Sequence, residues 1–207
     1  MIIHLHGTGE SGTDNQVQLY LGQNMGPDYF ASANIQKIQK AYVLAPQTPL
    51  NIRWANTTLA PYDFKSTPST KSMTALLHLI DSLLKNNPNI DAQRIYMTGV
   101  SRGGQGVWNA ALQRPNFFAA IVPIAGSASP SDAAKLIHLP IWAFHGSADE
   151  VTKVQYTQEM VDAIIKAGGT TKLLRYTEIQ NGHHQDSWKT AFQDDKLYRW
   201  MLSHKRY

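Results

Sequence analysis

Gly99-Val100-Ser101-Arg102-Gly103 sets one hydroxyl between two glycines, and the flanking segments decide what that hydroxyl can do. Residues 94–98, Arg-Ile-Tyr-Met-Thr, read as a buried strand, and Gly104-Gln105-Gly106-Val107-Trp108 opens a helix. A serine on a tight strand-to-helix turn is forced into crowded backbone geometry, with glycines leaving room and the hydroxyl left exposed. The N-terminus of the following helix stabilises negative charge beside it. The five-residue pattern recurs by chance, so its weight comes from the strand before it and the helix after it.

A serine hydroxyl is a weak nucleophile without a base, and the base needs an acid to orient it. With such an elbow the expected chain order is serine, acid, histidine. Residues 141–149, Ile-Trp-Ala-Phe-His-Gly-Ser-Ala-Asp, form an apolar strand running into a polar turn, which puts Asp149 just past a strand end. Glu150 is the reserve acid, and capping of a helix near Thr152 is the competing role for Asp149. Residues 178–185, Glu-Ile-Gln-Asn-Gly-His-His-Gln, then bring His183 and His184 to the same sheet edge. One of the two is the base. Adjacent side chains in a loop diverge, so the pair is a poor chelate.

The opening MIIHLHGTGESG admits two chemistries. In a strand His4 and His6 share a face, which is how many metal sites begin. Alternatively, the glycine-rich run after His6 offers backbone N–H groups to an anion. A tetrahedral oxyanion needs two such donors, one from the residue after the nucleophile and one from the loop after an early strand. Arg102 fills the first position and Thr8 the second. The metal reading belongs with barrel hydrolases of about 250 residues; this chain has 207. No metal and no cofactor are expected.

These residues need a scaffold that converges their loops. Short apolar runs at 2–6, 42–45, 94–100, 119–125, 141–145 and 172–177 alternate with amphipathic stretches at 72–85, 104–113, 154–166 and 195–203. That alternation is the signature of βαβ units and a parallel sheet. The expectation is one α/β domain over 1–207, with a mostly parallel sheet of about six strands and helices on both faces. Residues 46–70 carry four prolines with Trp54, Tyr62 and Phe64. A loop of this length at the ligand-binding edge of a sheet is expected to wall the site, with Trp54 as a substrate-binding residue. Trp108, at helical spacing, is assigned to the core.

Composition narrows the classes. The chain is 43% hydrophobic and 16% charged, with a net charge of +4 and no apolar run of bilayer length. Its basic residues are scattered, which argues against a nucleic-acid surface. The absence of cysteine removes disulfides, thiolate metal sites and cysteine nucleophiles. No signal peptide is visible, so a cytoplasmic location is read as the sequence stands. A secreted or periplasmic one follows if residues precede Met1.

At these motifs the sequence resembles the α/β-hydrolase superfamily, and within it the phospholipase/carboxylesterase and dienelactone-hydrolase-like esterases. That group includes enzymes related to polyhydroxyalkanoate depolymerases and feruloyl esterases. The resemblance runs through His6-Gly7-Thr8-Gly9-Glu10-Ser11-Gly12-Thr13-Asp14-Asn15, then Gly99–Trp108, residues 117–126 and His145-Gly146-x-x-Asp149. It implies a serine ester hydrolase with Ser101 as nucleophile, Asp149 as acid, and Thr8 and Arg102 as oxyanion donors. Spacing from Thr177-Glu178 and back from Ser187-Trp188 favours His184 as base, while the glycine before His183 favours that residue; His184 is preferred. The strands that usually precede the oxyanion loop are missing here, which bears on edge stability and on homodimer formation. The expected substrate is a small-molecule or carbohydrate-linked ester. A serine peptidase of the same fold and a non-catalytic binding relative are the competing classes.

Overall fold

The computed structural model describes residues 1–21, 25–58 and 60–206; within the predicted 46–70 loop, Leu59 lies outside them. Six strands form one sheet: β1 (Ile2–Leu5), β2 (Val43–Leu44), β3 (Tyr96–Val100), β4 (Ala120–Ile124), β5 (Ile141–Gly146) and β6 (Leu174–Ile179). Their order is β2-β1-β3-β4-β5-β6, and every neighbouring pair is parallel. All six lie where the apolar runs predict them. Because β1, β3, β4 and β5 are buried on both faces, they read as largely continuous apolar runs rather than as strict alternation.

Alternate side chains separate two cores. On one face Ile3, Leu5, Met97, Ile121 and Ala143 pack beneath α3 (Lys71–Asn86), α4 (Arg102–Gln113) and α5 (Gln155–Lys166). On the other, Ile2, Tyr96, Ala120 and Val122 meet α1 (Gly26–Ala31), α2 (Ala33–Ile38), α6 (Asp186–Ala191) and α7 (Lys196–Leu202). The α3 stripe Met73, Leu76, Leu77 and Ile80 is buried, each side chain contributing about 1.5–3 kcal/mol. Thr70 begins that helix, its Oγ1 accepting from Met73 N at 3.0 Å. Trp108 is fully buried, as its spacing implies.

The helices α1, α2 and α6 have no counterpart in the sequence reading. Each is six residues long, too short to display a 3.6-residue period. Gly26-Pro27 resembles a turn but starts α1, where the fixed φ of proline suits the first helical position. Among the described residues no helix is long and apolar enough to cross a membrane.

Candidate active site

Ser101 closes β3 and precedes α4 directly, with φ 55° and ψ −117°. A non-glycine residue rarely holds such a backbone, and the surroundings must impose it. They do so by close approach. A Cβ on Gly103 would stand 2.0 Å from the Leu5 carbonyl oxygen, and one on Gly99 would stand 2.7 Å from the Gly103 backbone. The elbow therefore packs helix backbone against strand backbone, with Ser101 N–H donating to the Ile124 carbonyl at 2.9 Å.

Asp149 lies in the turn after β5, and His184 in the turn after β6. Backbone bonds lace these two turns together. Ala148 N–H donates to the Gly182 carbonyl at 2.9 Å, and Asn181 N–H donates to Ser147 Oγ at 2.8 Å. Ser187 Oγ accepts from Gly146 N–H at 3.0 Å. The result brings three distant residues into one relay. Asp149 Oδ2 lies 2.6 Å from His184 Nδ1, and His184 Nε2 lies 2.9 Å from Ser101 Oγ. A carboxylate only accepts, so Nδ1 carries the hydrogen and Nε2 is left to accept from the hydroxyl. The edge of the His184 ring meets Trp188 at 5.1 Å.

The neighbouring candidates point elsewhere. His183 is mostly exposed and sits 3.8 Å from an exposed Glu150, while its N–H bonds to Asp186. The competing role, capping a helix near Thr152, is not what Asp149 does: α5 begins only at Gln155, and its N-terminus has no side-chain cap bond. Asp149 Oδ1 accepts from Val151 and Thr152 N–H, each at 2.8 Å. One oxygen fixes the turn and the other faces the histidine.

A further histidine belongs to this cluster, although the sequence reading gave it no role. His145, fully buried on β5, directs Nε2 to the Thr152 carbonyl at 2.8 Å and to Asp149 Oδ2 at 3.1 Å. Its Nδ1 meets Thr157 Oγ1 at 2.7 Å. Burial pushes the Asp149 carboxyl up, but hydrogen bonds from His145, His184 and Thr152 N–H outweigh it and hold the group well below the usual carboxylate range. Asp149 is thus kept ionised. The signal available in sequence was the position of His145 four residues before the acid.

The glycine-rich segment after β1 borders the elbow: a Cβ on Gly7 would lie 3.6 Å from Ser101 Cβ. Thr8 starts a 3-10 turn, Thr8–Glu10, and Arg102 starts α4, so each presents an N–H with no partner inside its own helix. His6 supports this segment. Its Nδ1–H donates to the Gly7 carbonyl at 2.6 Å, and Nε2 accepts from Thr48 N–H at 3.0 Å. Burial lowers the His6 pKa and favours this neutral form. His4 packs instead among the Phe30 and Phe192 rings. His4 lies on β1 and His6 just past its end, and the two imidazoles serve different surroundings.

Trp54 is where the sequence expectation fails. It is only 2% exposed, its Nε1–H donates to the His6 carbonyl at 3.0 Å, and its ring packs edge-on to His6 at 5.3 Å. It belongs to the core beneath the glycine-rich segment and does not face a substrate. The rest of its loop is stitched across the end of the sheet. Gln105 Nε2 donates to the Thr58 carbonyl, Tyr62 N–H to the Ala128 carbonyl and Phe64 N–H to Ser129 Oγ.

A parallel sheet in this order, with its strained serine between strand and helix and its relay on the following loops, defines an α/β-hydrolase. Residues 1–196 match the phospholipase/carboxylesterase family, and the chain belongs to it. It is similar to an acyl-protein thioesterase 1 homologue of Dictyostelium discoideum, at 25% identity over 90% of this chain and 85% of that protein. It also resembles a bifunctional acetylxylan esterase/xylanase of Neocallimastix patriciarum, at 29% identity over 49% of this chain. Among solved structures, a thermostable esterase superimposes with TM-score 0.89 at 33% identity over 99% of this chain. The present chain spans 54% of that esterase and the match covers 15% of the bifunctional enzyme. A ferulic acid esterase, 15% identical over 97% of this chain and 84% of its own, shares the fold with TM-score 0.68.

Proposed function

We propose that the protein hydrolyses carboxylic esters through an acyl-enzyme intermediate, with Ser101 as nucleophile, His184 as general base and Asp149 as the orienting acid. The unbroken hydrogen-bonded path from Asp149 through His184 to Ser101 carries this reading. As Ser101 Oγ attacks the ester carbonyl, its proton passes to His184 Nε2, and the imidazolium is stabilised by the ionised Asp149. The carbonyl oxygen becomes an oxyanion facing the N–H groups of Thr8 and Arg102. When the tetrahedral species collapses, His184 returns the proton to the departing alkoxide and leaves an acyl group on Ser101. Water, deprotonated by the same imidazole, then releases the carboxylic acid and restores the hydroxyl.

Family membership and the esterases among the relatives favour an ester over a peptide bond. The substrate class proposed is a small-molecule or carbohydrate-linked ester, with the loop after β2 bordering the site. Turnover of 4-nitrophenyl butyrate is the test. Removing the nucleophile by Ser101→Ala should cut kcat by about 10⁴-fold or more, and a variant retaining a tenth of the activity overturns the reading. Peptide p-nitroanilides should be cleaved far more slowly than the ester; the reverse order would make this a peptidase.

A further inference from the structure

The surface beside Ser101 carries positive charge that the proposed mechanism does not use. Arg102 follows Ser101 directly, and its side chain, half-buried, makes no hydrogen bond or ion pair among the described residues. Arg53 comes from the loop after β2, which rests on the first turns of α4. There Trp54 Cβ lies 2.6 Å from where a Gly106 Cβ would stand, and Gln105 holds the Thr58 carbonyl. The Arg53 guanidinium is anchored on one side by Nη1, which donates to the Thr57 carbonyl. Its remaining donors make no hydrogen bond among the described residues.

Arg53 also lines a cleft of about 490 Å3 with Asn51, Asn56, Thr57, Ser69 and Lys71. Among the described residues, the cleft wall has two cations, several hydroxyl and amide groups, and no carboxylate. Neither Arg53, Arg102 nor Lys71 meets an acidic side chain within ion-pair distance among the described residues. Arg94, Arg114 and Arg199 do find one, Arg114 by a two-pronged bond with Asp81. Like charges brought together without a counterion repel one another and cost stability. Burial, and after it the Arg53 charge, lower the Arg102 pKa, which agrees with an unneutralised pair. A bound anion relieves this cost. The planar fork of a guanidinium fits a carboxylate with two parallel bonds.

We infer that the cleft lined by Arg53 and Lys71, on the loop that packs against the helix Arg102 opens, binds a carboxylate carried by the ester on the part that does not react. This rests on the ester-hydrolase reading above and names its substrate class: an anionic ester. Charge complementarity should raise kcat/KM for such esters over neutral ones of the same shape.

Two pairs of probes test it. In one pair the charge is on the acyl side, 4-nitrophenyl hemisuccinate against 4-nitrophenyl butyrate. In the other it is on the alcohol side, 4-butyryloxybenzoate against its methyl ester. In one arm the charged probe should be preferred about tenfold, and Arg53→Gln should abolish that preference. Lys71→Gln, at the start of α3, should reduce it in the same arm and decides the matter if Arg53→Gln does not fold by circular dichroism. No preference in either arm, or a preference that survives the folded Arg53→Gln protein, overturns the inference. Failure of the hydrolase reading looks different: no probe, charged or neutral, would be turned over in a Ser101-dependent way.

Discussion

His145 Nε2 stands 3.1 Å from the same Asp149 oxygen that accepts the 2.6 Å bond of His184 Nδ1. The two imidazoles approach one carboxylate from β5 and from the turn after β6. One is fully buried and bonded at both nitrogens; the other opens toward Ser101. In the proposed mechanism the buried histidine would act through Asp149, as a positioning residue, leaving contact with Ser101 to His184.

Truncating that support should be felt in kcat rather than in KM. His145→Ala should lower kcat about tenfold with KM little changed, because Asp149 Oδ2 loses one of its two fixed donors. Gln places an amide N–H near the position of Nε2, so His145→Gln should recover most of the loss. Steady-state kinetics on 4-nitrophenyl butyrate decide. Equal impairment by Ala and Gln would reduce His145 to a packing residue.

The two adjacent histidines should separate cleanly. His184→Ala removes the group 2.9 Å from Ser101 Oγ, and kcat should fall by about 10³-fold or more. His183, exposed and paired only loosely with Glu150, should tolerate alanine within about twofold. A His184→Ala enzyme that keeps near-wild-type kcat would rule it out as the base.

The elbow should tolerate no methyl group at Gly103. An added Cβ would lie 2.0 Å from the Leu5 carbonyl oxygen, forcing α4 away from β1. Overpacking of this kind costs about 3 kcal/mol. By contrast, nothing lies within 4 Å of a Cβ on Gly9, and Gly9→Ala should shift stability by less than about 0.5 kcal/mol. Urea unfolding of the two variants provides the comparison, and equal midpoints would contradict the packing described.

Acid should loosen the segment after β1. Burial sets the folded His6 pKa below its unfolded value of about 6.5. The unfolded chain thus takes up the proton first, and the stability His6 provides is complete above about pH 6.5. It declines as pH falls through the lower folded pKa. Protonating Nε2 also displaces its 3.0 Å bond from Thr48 N–H. Hydrogen exchange should therefore show Thr48 losing protection as the pH is lowered progressively below about 6.5, after correction for intrinsic rates. Unchanged protection would mean that this imidazole does not govern the segment.

Much of this architecture was legible in residue order, for reasons that individual positions make plain. The β3 and β5 runs are buried on both faces, so unbroken apolarity marked them. Gly99 and Gly103 were informative because backbone contact leaves no space for a side chain. The choice between His183 and His184 was closer, since it depends on the direction in which one turn releases each side chain. Trp54 was misread because an indole in a proline-rich loop has the same local sequence context whether it walls a pocket or fills a core. Its burial and its bond to the His6 carbonyl distinguish them. The role of His145 was hidden likewise, as it depends on Thr152 and Thr157 folding back over β5.

β6 is the outermost strand on its side, paired among the described residues with β5 alone, and the turn after it carries His184. Margins of a sheet open at lower free energy than its centre. The serine and the aspartate are rooted further inside, on β3 and β5. Peeling of this single ribbon would disconnect the imidazole while most of the molecule stayed intact, so warming should silence turnover before it melts the chain.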